Sequence, residues 1–154
     1  MKMTKGMRRF LGVLFVLYIA ALVYGLLFAP QFGRTTEVPH GVNLLPFAEI
    51  KRFWKGPESL GSQLFWWNVI GNIVVFLPMG FFVAILVQRR FYGAFAVAVT
   101  YIASVCAEIL QYVLRVGSFD IDDVILNTLG GVFGVLIAAA VRKSRSGGAR
   151  KRKK

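Results

Sequence analysis

Eight polar side chains stand within or beside apolar stretches, at spacings that gather them onto shared faces. Asn68 and Asn72 form one group, Glu108, Gln111 and Arg115 a second, and Asp120, Asp123 and Asn127 a third. Intervals of three and four residues place side chains together on a helix. Carboxylates, amides and a guanidinium combined in this way suit either of two tasks. They can hold a hydrogen-bonding head group as a ligand site. Alternatively, Glu108 and Asp123 can act as catalytic acid and base on an anionic lipid head group while Arg115 binds phosphate. Glu108 is the most costly of the eight, because a carboxylate at the centre of a membrane helix costs about 2.5–3.5 kcal/mol. It must pair, protonate or face water. Arg115 is seven residues away, roughly 10 Å along a helix, so Lys51 and Arg52 are further candidate partners.

Bland roles compete with each of these readings. The amides can simply hydrogen-bond between helices, each worth about 0.6 kcal/mol. Asp120 and Asp123 have capping-box spacing and suit a helix N-terminus. For Glu108, Gln111, Arg115 and Asp123 taken together, the functional reading is the stronger. Zinc-protease motifs, Cys/His clusters, phosphate-binding glycine loops and Ser–His pairs are absent from the sequence, which argues against soft-metal chemistry and nucleophilic triads. No cofactor is expected. A hard cation held by these carboxylates finds no support in their spacing.

The elements that must position these residues are membrane spans. The 154 residues are 56% hydrophobic and 17% charged, with mean hydropathy +0.62, whereas soluble domains carry about 25% charged residues. Charge is missing from residues 10–29, 63–88, 91–107 and 124–141, each near or above the roughly 17–25 residues that cross a bilayer. The expected fold is an all-α membrane protein. Its four helices lie at about 10–29, 64–88, 91–114 and 123–141, between a basic N-terminus, residues 1–9, and a basic tail, residues 142–154. The first apolar stretch is too long for a signal-peptide core, and the small residues before Pro30 make a poor cleavage site, so it reads as a retained helix.

Charge sets the expected orientation. Lys2, Lys5, Arg8, Arg9, Arg89, Arg90 and the residues from Arg142 onward flank the helices on one side. The other two loops hold Glu37, Glu49, Glu58, Asp120, Asp122 and Asp123. Positive flanks face the cytoplasm, so both termini are expected there, in a multi-pass protein of the cell membrane. All three polar groups then fall near the outer leaflet. The net charge of +12 suits contact with membrane lipids. Nucleic acid is not an expected partner, since no folded reader accompanies the charges.

Within the first outer loop, residues 44–55 read as a short amphipathic helix in the membrane interface, with Pro46 at its start and Phe47, Ile50 and Trp54 on its apolar side. Trp66 and Trp67 mark the outer headgroup level. Gly130 and Gly134 have the spacing that lets helices approach closely, and Pro78 is expected to kink the second helix. Cys106 is the only cysteine and His40 the only histidine; neither is assigned a role.

The order of motifs resembles the VanZ-like family of small integral membrane proteins. Its pieces are Asn43-Leu-Leu-Pro-Phe47, then Asn68 and Asn72 with Phe76, Pro78 and Gly80, then Glu108 with Gln111. Last come Arg115, Asp120, Asp123, Asn127, Thr128 and Gly130. The likeness covers about residues 43–135. The family takes its name from a protein linked to teicoplanin resistance. The resemblance therefore implies a cell-envelope protein that engages a lipid, a lipid-linked cell-wall precursor or a glycopeptide, and it carries over no catalytic residues. A structural scaffold for envelope enzymes is a further alternative.

Overall fold

The computed structural model describes residues 3–28, 41–48, 51, 61–87 and 90–151, with the backbone alone at 61–65, 67 and 146–151. Four helices dominate it: α1 (Lys5–Leu27), α2 (Gly61–Leu86), α3 (Tyr92–Val113) and α4 (Ile121–Lys151). All four are long and apolar enough to cross a membrane, as the uncharged runs require. Helix α4 continues well past residue 141, where the hydropathic run ends, so the first part of the basic tail is helical.

Backbone-to-backbone packing of α2 on α4 forms the centre of the bundle. A methyl group on Gly80 would overlap the Gly131 carbonyl, one on Gly130 the Ile73 carbonyl, and one on Gly134 the Leu77 carbonyl. With no Cβ at these crossings, dispersion contact between the backbones replaces the hydrophobic drive that lipid cannot supply. Around this seam Phe76, Met79, Val83, Ala84, Ile85, Ala96, Ala107 and Ala138 fill the core.

Helix α1 is attached more lightly, and Leu22 is its one buried residue among those described. Its Tyr18 hydroxyl donates to the Val75 carbonyl of α2 at 2.9 Å. Phe15 and Tyr18 also pack on Phe82. Near the other ends of α2 and α3, Arg142 donates to the Val87 carbonyl at 2.7 Å. Its guanidinium lies 3.8 Å from the Tyr92 ring centroid. One residue thus satisfies an end carbonyl beyond α2 and makes a cation–π contact at the start of α3.

Two short strands, β1 (Val42–Asn43) and β2 (Phe119–Asp120), pair in parallel with Asn43 opposite Asp120. Beyond β1 the chain turns instead of starting a helix at Pro46. The Ala48 N–H donates to the Leu45 carbonyl at 3.2 Å, and Phe47 takes φ 64°, the signature of a type II turn with proline in its second place. Helical structure first appears at Ala48, and the Lys51 N–H reaches the Phe47 carbonyl at 3.0 Å. Residues 49, 50 and 52–55 of the expected amphipathic helix lie outside the described residues, as do His40 and Arg52.

Candidate functional site

The site is built where α2 and α4 begin and α3 ends. Helix α4 starts immediately after β2, and Asp120 caps it: Asp120 Oδ1 accepts the Asp122 N–H at 2.8 Å, as a capping aspartate does. In a capping box the acid three residues on would take the N–H of the cap residue. Here Glu108 of α3 takes it instead, with Oε2 accepting the Asp120 N–H at 3.0 Å. Asp123 is thereby released for a different partner. Its Oδ1 accepts from Asn72 Nδ2 of α2 at 2.6 Å, and the same nitrogen donates to Asn68 Oδ1 at 3.0 Å.

The loop after α1 is held to the same place. Asn43 Nδ2 donates to both oxygens of Asp120, at 3.2 and 3.3 Å, while Asn43 Oδ1 accepts the Leu45 N–H at 3.1 Å. The Phe47 N–H, turned inward by its positive φ, donates to Asp122 Oδ1. Leu44, Leu45 and Phe47 are left exposed on the outside of the turn.

One helical turn deeper, Asn127 Nδ2 donates to Ser104 Oγ at 2.9 Å. Both residues are buried, and Asn127 Oδ1 has no hydrogen-bond partner among the described residues. Gln111 Nε2 donates to the Leu26 carbonyl at 3.0 Å, satisfying an end carbonyl of α1.

Glu108, Asp120, Asp122 and Asp123 therefore stand close together, each accepting N–H groups. Asp122 and Asp123 lie in the first turn of α4. Glu108, Gln111, Asp122 and Asn127 are buried, whereas Asn68, Asn72, Asp120 and Asp123 are only partly covered. The second group is the one a ligand can touch; the first fixes its geometry. Among the described residues no cluster of three His, Cys, Asp or Glu is arranged to hold a metal ion.

Of the eight residues singled out by spacing, Asn72, Glu108, Asp120 and Asp123 join this cluster through hydrogen bonds between elements, and Asn68 through its bond to Asn72. Asn127 sits just beneath it and Gln111 faces α1. Arg115 lies elsewhere. Helix α3 ends at Val113, and Arg115, at φ 56°, closes it. The Arg115 N–H bonds the Tyr112 carbonyl at 3.1 Å and the Val116 N–H bonds the Gln111 carbonyl at 3.0 Å, a Schellman arrangement. Its side chain is exposed. Spacing does not single out Asn43 or Asp122. Ser104 is one turn before Glu108 on the same face, a signal that was available. Asn43 and Asp120 are brought together by strand pairing between distant segments.

Residues 15–142 match the VanZ/LLP1 family. The chain belongs to that family. It is 28% identical over 126 residues to Protein VanZ of Enterococcus faecium, an alignment that spans 79% of this chain and 69% of that protein. No solved structure matches. The match takes in Glu108, the acidic turn of α4 and the amides of α2, so the whole cluster lies within the VanZ/LLP1 region.

Proposed function

We propose that this VanZ/LLP1 protein resides in the cell envelope with both termini cytoplasmic, and that its polar cluster opens toward the outer leaflet. There it engages the head of a lipid, a lipid-linked cell-wall precursor or a lipoglycopeptide, lowering susceptibility to glycopeptides such as teicoplanin. One observation carries this reading. Three helices and the 41–48 loop gather four carboxylates, each accepting N–H groups, at an end of the bundle where spanning the membrane demands none. Such groups at membrane depth are expensive and mark function more often than anchorage. The cluster presents mainly oxygen acceptors, and Asn127 Oδ1 adds another beneath it. Acceptors suit ligands rich in N–H and O–H donors, as peptide and sugar moieties are. This chemistry favours a binding role over chemistry on a bare anionic phosphate.

The test compares teicoplanin susceptibility of cells expressing wild type, Asp123→Asn and Asn72→Leu at equal membrane levels. Loss of protection in both variants is expected. Protection equal to wild type in both would sink the proposal.

A further inference from the structure

At the opposite end of the bundle, where α1 begins and α4 finishes, the charge problem is reversed. Residues 1–36, 59–107 and 124–154 contain no Asp or Glu, so among the described residues no acidic side chain stands at that end. Yet the fold brings two basic segments together there: Arg145 Nη1 of α4 lies 3.9 Å from Met7 Sδ in the first turn of α1. Lys5, Arg8 and Arg9 in the first turns of α1, and Lys143 and Arg145 in α4, are all exposed. Helix α4 has 31 residues, about 46 Å at 1.5 Å per residue, against a hydrocarbon core of about 30 Å. Its basic turns therefore project to headgroup level.

Intrinsic stability does not account for this arrangement. Lys5, Arg8 and Arg9 sit at the N-terminus of α1, the end whose dipole disfavours cations. Thr4 caps that end with its hydroxyl, accepting the Met7 N–H at 3.2 Å, and the first turn holds no acid. Arg142 is already committed to Val87 and the Tyr92 ring. Helix α1 buries little against the bundle, so repulsion between the two basic segments acts on a weak attachment.

We infer that the basic ends of α1 and α4 together form a binding surface for anionic phospholipid head groups, whose phosphates neutralise Arg8, Arg9 and Arg145 and so hold α1 against the bundle. The ligand is a lipid and not soluble phosphate, because the cations surround helices that emerge from the acyl layer at headgroup depth.

The test uses the full chain in nanodiscs of phosphatidylcholine alone or mixed with phosphatidylglycerol. Native mass spectrometry reads the lipids retained, and thermal unfolding reads stability. Wild type should retain phosphatidylglycerol in preference to phosphatidylcholine, losing roughly fivefold of that preference for each of Arg8→Gln, Arg9→Gln and Arg145→Gln. Phosphatidylglycerol should raise the unfolding temperature of wild type. The triple variant should lose that response while unfolding no earlier than wild type in phosphatidylcholine, since removing the charges also removes their repulsion. Equal retention of the two lipids by wild type would overturn the inference. So would full stabilisation by inorganic phosphate added to phosphatidylcholine discs, or a triple variant that still responds fully to phosphatidylglycerol.

Discussion

Glu108 Oε2 accepts the backbone N–H of Asp120 at 3.0 Å, joining the end of α3 to the residue that caps α4. The bond needs only an acceptor oxygen at that point, whereas recognition of a ligand can also depend on the charge. The two requirements are separable by mutation. Glu108→Gln keeps an oxygen for the Asp120 N–H, so its unfolding temperature in detergent should stay near wild type. Glu108→Leu leaves the partly buried Asp120 N–H without this acceptor, which costs about 1 kcal/mol, and should unfold measurably earlier. Equal melting of all three proteins would contradict this role for the bond.

The 41–48 loop should be anchored through Asn43. Asn43→Ala removes both hydrogen bonds to Asp120 and the acceptor for the Leu45 N–H. Hydrogen exchange by mass spectrometry should then show faster exchange across residues 42–47, including the Phe47 N–H, with the spans unchanged. Exchange as slow as in wild type would mean that the strand pair alone holds the loop.

The α2–α4 seam should tolerate no side chain at its crossings. Gly80→Ala, Gly130→Ala and Gly134→Ala each force a methyl into backbone atoms of the facing helix. Overpacking of this kind typically costs about 1–3 kcal/mol, and it should lower both the unfolding temperature and the amount of folded protein in the membrane. Gly71→Ala, which meets nothing within 4 Å, is the matched control and should behave as wild type. A Gly130→Ala protein as stable as the Gly71→Ala control would refute the close approach.

Much of this architecture is legible in the residues themselves. Four uncharged runs are long enough to span, and the small residues at 130, 131 and 134 mark the close helix contact. Helical spacing also placed Asn72, Glu108 and Asp123 at one end of the bundle. Periodicity is silent beyond the helix ends. Arg115 shares the three-and-four spacing of Glu108 and Gln111, but α3 has already ended, and a left-handed cap at a non-glycine residue leaves no sequence signal. Pro46 reads equally well as a first helical residue or as the second residue of a turn; the Asp122 carboxylate beneath Phe47 goes with the turn. Asp122 itself is invisible to spacing, because its partner is a backbone N–H 75 residues away.

The proposed role of the Glu108–Asp120–Asp123 cluster is to receive the head of an amphiphilic ligand. Native mass spectrometry of protein purified from its own membrane, comparing wild type with Glu108→Gln and Asp123→Asn, tests it most directly. Wild type should carry a defined lipid, lipid-linked precursor or added teicoplanin that both variants lose, while their bound bulk phospholipid stays the same. Identical bound species in all three proteins, at equal folded yield, would mean that the cluster holds no such ligand.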